Sequence, residues 1–303
     1  MNLLVGSDFS PHSGFAVNRA AQLADQLGAD LHLLHVIRPG EPGRALEESL
    51  RVASRRAEAW RETVKGRWSR RPHTDVRVGN VPRVVAETVG LLKPRLLVLG
   101  AHGRQGIAET FGSSIADRIL QARTCPVLIV RREPRCPYGQ VLVAMDHSAT
   151  STAALALTEQ LLLTPDTAAT VIHAFTPPYR GMLRYAGVGP VAEADHVEAS
   201  RLTAMRAIRD VLKHTSSSPL RFRVRVEDSP AATAILDAAA DSEADLVVMG
   251  TRGTGRVRRT LLGSVAHEVM QRTTCDLLIV PEPIARDAAT GETSLPQLGF
   301  GAS

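Results

Sequence analysis

The sequence predicts a tandem α/β protein: two consecutive units, each a five-stranded parallel sheet with helices on both faces. Three observations carry this. Short apolar runs such as Leu246 to Met249 stop at a glycine and give way to apolar residues at helical spacing. The whole order of runs occurs twice in 303 residues, in line with about two domains of ~150 residues each. Hydrophobic residues make up 44% and aromatics only 4%, so small aliphatic side chains must fill the cores, as they do where helices lie on a parallel sheet.

Residues 3–8 read as a strand ending in GSDFS, and residues 141–146 as a strand ending in VAMDHS, with Asp8 and Asp146 138 positions apart. The same spacing pairs Ser10 with Ser148, Ser13 with Ser151, His35 with His173 and Pro39 with Pro177. Ser10 and Ser148 are placed to cap the next helices; in the first, Phe15, Ala16, Ala20, Leu23 and Leu27 recur at helical steps. Strands 31–37 and 170–175 follow. Between residues 39 and 72, Leu46, Leu50, Ala53, Ala57, Trp60 and Val64 mark an amphipathic outer helix. The second unit carries an insert at 177–190 with Tyr179, Arg180 and Tyr185, then its own helix at 192–214. Two readings of the insert stand side by side, a lid over a site and a variable surface segment.

Strands 75–78 and 222–226 lead into helices that open near Pro82 and Pro230, where proline suits a first turn. From the strands Leu96–Gly100 and Leu246–Gly250 the spacing becomes 150 and holds without a gap, pairing Gly103 with Gly253, Ser114 with Ser264, Gln121 with Gln271 and Cys125 with Cys275. Right-handed crossovers then give a parallel sheet in each unit. The expected limits are 1–133 and 138–283, with a proline-bearing linker around 131–139 and a disordered tail at 284–303. The near-identical last strands, TCPVLIV and TCDLLIV, are apolar edges expected to pair with each other inside the chain.

Composition narrows the function. The net charge is +5 and the pI near 9.5, yet the arginines are scattered through predicted helices, no long basic run occurs and aromatics are scarce, which disfavours nucleic acid. No apolar run reaches the ~20 residues of a membrane span. Met1 leads directly into the first strand, without the charged and apolar regions of a signal peptide, so a cytoplasmic location is expected. Cys125, Cys136 and Cys275 lack metal-ligand spacing and read as reduced thiols, and His35, His102 and His173 lack partners at ligand spacing, so no metal site is expected. The sequence has neither a G-x4-G-K-[ST] loop nor a G-x-S-x-G elbow, which argues for a binding module over an enzyme.

The chemistry concentrates after the fourth strand of each unit. Gly250, Gly253 and Gly263, spaced G-x2-G-x9-G and followed by Ser264, bring bare backbone amides to a helix N-terminus, an arrangement suited to phosphate. Asp146 falls on the same sheet edge, the carboxyl ends of the strands at the topological switch point. In the first unit, Gly100, Gly103 and Ser114 keep their places, but Ser113 stands where Gly263 does, with Gly112 one residue early. Either a tighter loop keeps Gly112 in the glycine role, or Ser113 replaces it and rewires the cradle; the equal loop lengths favour replacement. Taken singly, the glycines also read as strand ends, the aspartates as helix caps, and Arg252, Arg256, Arg258 and Arg259 as a solvated loop face.

This doubled motif resembles the universal stress protein family, tandem type, in its ATP-binding branch. The resemblance covers about 1–132 and 138–282. It implies two Rossmann-like, HUP-type domains, a regulatory or stress-response role, and ATP held with Mg2+ as a signal, with slow hydrolysis or none. It places Asp146 and Gly250 at the ribose, Ala174 at adenine, and Gly253, Gly263, Ser264 and the Val265 amide at phosphates. The first-unit counterparts are Asp8, Val36, Gly100, Gly103, Gly112, Ser113 and Ser114. It also implies a homodimer of whole chains. The competing reading is a nucleotide-free interaction scaffold, with a slow ATP hydrolase third.

Overall fold

The structure is a computed structural model that describes residues 1–39, 43–64, 72–101, 115–122, 124–179, 182, 185–186, 189–216, 222–251 and 262–281. The first half runs β1 (Asn2–Gly6), α1 (Pro11–Leu27), β2 (Asp30–Ile37), α2 (Arg44–Val64), β3 (His73–Val78), α3 (Val81–Leu92), β4 (Leu96–Gly100), α4 (Ile115–Gln121) and β5 (Val127–Val130). The second runs β6 (Gln140–Ala144), α5 (Ala149–Leu161), β7 (Ala168–Ala174), α6 (Pro190–Thr215), β8 (Phe222–Glu227), α7 (Ala231–Asp241), β9 (Leu246–Gly250), α8 (Ser264–Arg272) and β10 (Asp276–Val280).

The strands form one ten-stranded sheet in the order β3-β2-β1-β4-β5-β10-β9-β6-β7-β8. Among the described strands each half is parallel throughout, and the antiparallel junction is β5 against β10, with Ile129 opposite Leu277, Leu128 opposite Leu278 and Val127 opposite Ile279. The expected pairing of the two last strands is therefore present. Because side chains alternate across a strand, two core layers result, and both cross this junction. Leu128 and Leu278 lie in the layer beneath α1, α2, α5 and α6, with Leu3, Ala57, Leu155 and Ile208. Val127, Ile129, Leu277 and Ile279 lie in the layer beneath α3, α4, α7 and α8, with Val85, Ile119, Ile235 and Val269. Near-continuous apolar strands are what a sheet covered on both faces requires.

Helices α1 and α5 start where the sequence places them. Ser10 and Ser148 are the N-caps of α1 and α5, each hydroxyl accepting the amide of the residue three positions on, Ser13 and Ser151. Cys125 and Cys275 are buried and Cys136 is exposed; all three are free thiols, and burial pushes Cys125 up to about 12. No described helix is long and apolar enough to cross a membrane. Residues 284–303 lie outside the described residues.

The linker is pinned by a buried ionic cluster that local sequence patterns do not announce. Asp276, at 1% exposure, accepts the Tyr138 hydroxyl at 2.7 Å and the Arg131 amide at 2.8 Å, and lies 3.6 Å from Arg19 Nε. The Arg19 guanidinium stacks 3.9 Å over the Tyr138 ring and donates to Cys136 O at 2.9 Å. Helix α1, the linker and β10 thus meet around one carboxylate. Burial raises its pKa despite those donors, and the same burial and the neighbouring carboxylate push the Tyr138 hydroxyl well up.

Candidate functional site

In each half the strand order reverses between the first and fourth strands, β1 beside β4 and β6 beside β9, so the crevice beyond their carboxyl ends is the switch point. The antiparallel junction puts the two crevices at opposite edges of the sheet.

One correction concerns the aspartates. They do not end the first strands: β1 stops at Gly6 and β6 at Ala144, so Asp8 and Asp146 sit two residues out, in the loops above the crevice. Nor do they cap the helices. Asp8 Oδ1 accepts the Ser10 amide at 2.9 Å, and Asp146 Oδ1 accepts the Ser148 amide at 3.1 Å and the Ser148 hydroxyl at 2.5 Å. Each carboxylate thus buttresses the true cap residue.

Around Asp146 a hydroxyl network continues from Ser148 Oγ to Thr150 Oγ1 at 2.9 Å and Ser151 Oγ at 3.2 Å. Thr150 then meets Gly250. A Cβ at Gly250 would lie 2.4 Å from Thr150 Oγ1, and one at Gly100 would lie 2.7 Å from His12 O. These glycines let the first turns of α5 and α1 press onto the ends of β9 and β4, a packing requirement that the sequence reading gave only as strand termination. Past Gly250, the Thr251 amide donates to Val280 O at 3.0 Å, and the Gly263 amide returns to Thr251 O at 2.9 Å. The end of β9 and the start of α8 are thereby hydrogen-bonded to each other. Gly250, Gly263 and the exposed Ser264 are thereby gathered beside Thr150 and the Asp146 loop. Gly263 is the N-cap of α8 and supplies no side chain, so the amides of Ser264 and Val265 open the helix uncapped by their own N-cap residue.

His173 Nδ1 donates to Met145 O at 2.7 Å and His35 Nδ1 to Ser7 O at 2.7 Å, fixing the strand ends that carry Ala174 and Val36 to the loop above. Both Ala174 and Val36 are half-buried at the crevice edge. Two residues the sequence reading passed over complete the site. Phe9 and His147, at equivalent positions, have φ of 59° and 63°. A left-handed conformation at a residue with a Cβ costs about 1–3 kcal/mol, and it recurs at the same point in both halves. Each ring faces the histidine of the neighbouring strand: Phe9 and His35 centroids are 4.5 Å apart, His147 and His173 5.0 Å in an edge-on contact. The signal was the one residue inside each D-x-S triplet.

Gly103, Gly112, Ser113, Ser114 and Gly253, with Arg252, Arg256, Arg258 and Arg259, lie outside the described residues. Among the described residues no cluster of three or more metal-ligating side chains occurs. The donor set that is described fits a nucleotide: helix-start amides and hydroxyls suit phosphate oxygens, and the carboxylate of Asp146 suits ribose hydroxyls.

Comparison with known proteins agrees with this fold. The chain is similar to Universal stress protein Rv2623 of Mycobacterium tuberculosis, with 26% identity covering 96% of this chain and 98% of that protein. It is 33% identical to Universal stress protein A homolog 1 of Coxiella burnetii over 140 residues, 43% of this chain and 94% of the relative. The crystal structure of a universal stress protein from Archaeoglobus fulgidus superimposes with a TM-score of 0.66 at 18% identity, covering 93% of this chain and 98% of that one. The model of the Universal stress protein family matches twice, at residues 1–131 and 137–281, and the chain belongs to that family.

Proposed function

We propose that the chain is a regulatory module of the stress response that holds ATP, with Mg2+, in the second-half crevice, and reads the nucleotide as a ligand with slow hydrolysis or none. One observation carries this reading: the Gly263 amide bonds Thr251 O while Gly250 packs on Thr150, so the α8 start and the Asp146–Ser148–Thr150 network meet at one switch point. Asp146 and Gly250 would hold the ribose, Ala174 would face adenine, and Gly253, Gly263, Ser264 and the Val265 amide would hold phosphates. Magnesium would offset triphosphate charge, since the sequence has no Walker lysine to do so. A location in the cytoplasm and a homodimer of whole chains belong to the same proposal.

The first half favours a second reading. Ser113 stands at the position of Gly263, so that half, with Asp8, Val36, Gly100, Gly103, Gly112 and Ser114, binds nucleotide weakly or serves as an interaction surface. Mass spectrometry of ligand released on denaturing the purified protein tests the chemistry. Titration calorimetry with Gly253→Val and Gly103→Val tests the ranking: the first change is expected to abolish the tighter binding and the second to leave it. The reverse outcome overturns the order. Equal affinity with Mg2+ and with chelator would count against a triphosphate.

A further inference from the structure

The two crevices also differ at the residue between strand end and helix start. At the strained position between strand end and helix start, the first half has Phe9 and the second half His147. Both rings project toward the histidine that precedes the residue at the expected base position, Val36 or Ala174. Phe9 is half-buried and offers only an apolar face, whereas His147 is exposed and brings two ring nitrogens.

We propose that His147 is a proton-coupled contact of the second-half crevice, so that an anionic nucleotide binds there with uptake of a proton that Phe9, its counterpart in the first half, cannot take up. This rests on the nucleotide reading given above and adds its regulation. Among the described residues, the titratable groups that act on His147 are His173 of β7 and Asp146 of its own loop. Partial desolvation, and then the charge of the neighbouring His173, lower its pKa and outweigh Asp146, so in the free protein the neutral ring is favoured. His173, through its bond to Met145 O, cannot swing away to relieve that contact. Asp146 already accepts two bonds from Ser148, so it is a fixed neighbour and not a partner that arrives with the proton. A polyphosphate entering the crevice adds several negative charges and raises the proton affinity of the ring. By linkage, affinity then rises as pH falls; a rise of one pKa unit on binding corresponds to about tenfold tighter binding across the window.

The test compares the full chain with His147→Phe, the residue the other half carries at that position, using magnesium ATP as probe. Titration calorimetry at pH 8 and pH 6, in buffers of different ionisation enthalpy, reads affinity and proton uptake together. Because the phosphate groups of the probe titrate alike in both proteins, the difference between them isolates His147. The expected result is roughly threefold to tenfold more tightening toward pH 6 in the unaltered chain, with proton uptake lost in His147→Phe. Equal pH dependence and equal uptake in the two proteins overturn the proposal while leaving the nucleotide reading intact. Absence of binding at both pH values in both proteins overturns the two together. Unchanged thermal melting of His147→Phe separates a lost contact from a lost fold.

Discussion

The Tyr138 hydroxyl donates to Asp276 Oδ2 at 2.7 Å, tying the linker to the first residue of the last strand. The corresponding residue of the first half is Pro126, so the contact belongs to the joining of the halves and not to the repeated unit. Among the described residues Asp276 is the carboxylate that pairs with the buried Arg19, so removing it strips that charge of its counter-ion there. Asp276→Ala is therefore expected to cost about 3–5 kcal/mol in chemical denaturation. Tyr138→Phe removes one hydrogen bond to a charged acceptor and should cost about 1.5–3 kcal/mol.

The same carboxylate sets a pH dependence. Its folded-state pKa is raised by burial, so the folded chain holds that proton more tightly than the unfolded chain. The associated stability is complete below the ordinary carboxylate range and is lost as pH rises through the raised folded value. Asp276→Asn should flatten that part of the stability profile, above about pH 4, as followed by denaturant midpoints.

At the junction of the two halves, Ile129 faces Leu277 across the antiparallel pair and is buried in the layer beneath α3 and α8. Ile129→Lys puts a charge into that layer. The expected outcome by calorimetry is two separated unfolding transitions with secondary structure retained, in place of one cooperative transition; a single unchanged transition would reject the coupling.

A second pH effect lies far from the crevices. His32 and His73, register partners on β2 and β3, stack with centroids 4.7 Å apart. Burial, and then the neighbouring His73, lower the His32 pKa against the pull of Asp30. The unfolded chain binds this proton more readily, so stability falls as pH drops below the ordinary histidine value near 6.5. His73→Gln should reduce the loss of melting temperature between pH 7 and pH 5.

Gly250→Ala tests the packing role of that residue. The added methyl group meets Thr150 Cβ at 2.6 Å and backbone C at 2.9 Å, so α5 must shift from β9. A loss of about 1–3 kcal/mol is expected with no ligand present, measured by thermal melting. Full stability with lost nucleotide binding would assign Gly250 to the ligand alone.

The fold was legible because its signals are local and doubled. The strands Leu96–Gly100, Leu246–Gly250 and Asp276–Val280 were readable to the residue from apolar runs closed by glycine or bounded by turns, and the 138 and 150 spacings fixed the order. The junction of β5 with β10 followed from two apolar edges needing cover. The site was legible only in outline. Asp8 and Asp146 lie beyond their strands because an apolar run does not say where the last ladder bond falls. The tightness at Gly100 and Gly250 depends on how closely helices approach from 88 and 100 residues away, as the partners His12 and Thr150 show. The left-handed Phe9 and His147 escaped notice because neither residue type announces positive φ. The Asp276 cluster draws on Arg19, Arg131 and Tyr138, and no periodicity connects such positions.

The β5 to β10 junction also has a consequence for synthesis on the ribosome. Ile129 emerges 148 residues before its partner Leu277. At about 5–20 residues per second, the nascent first half waits roughly 7–30 s with the strand Val127–Val130 uncovered on one side. Translation speed through the second half therefore decides how long a four-residue apolar edge is open to pairing with another nascent chain on the same message.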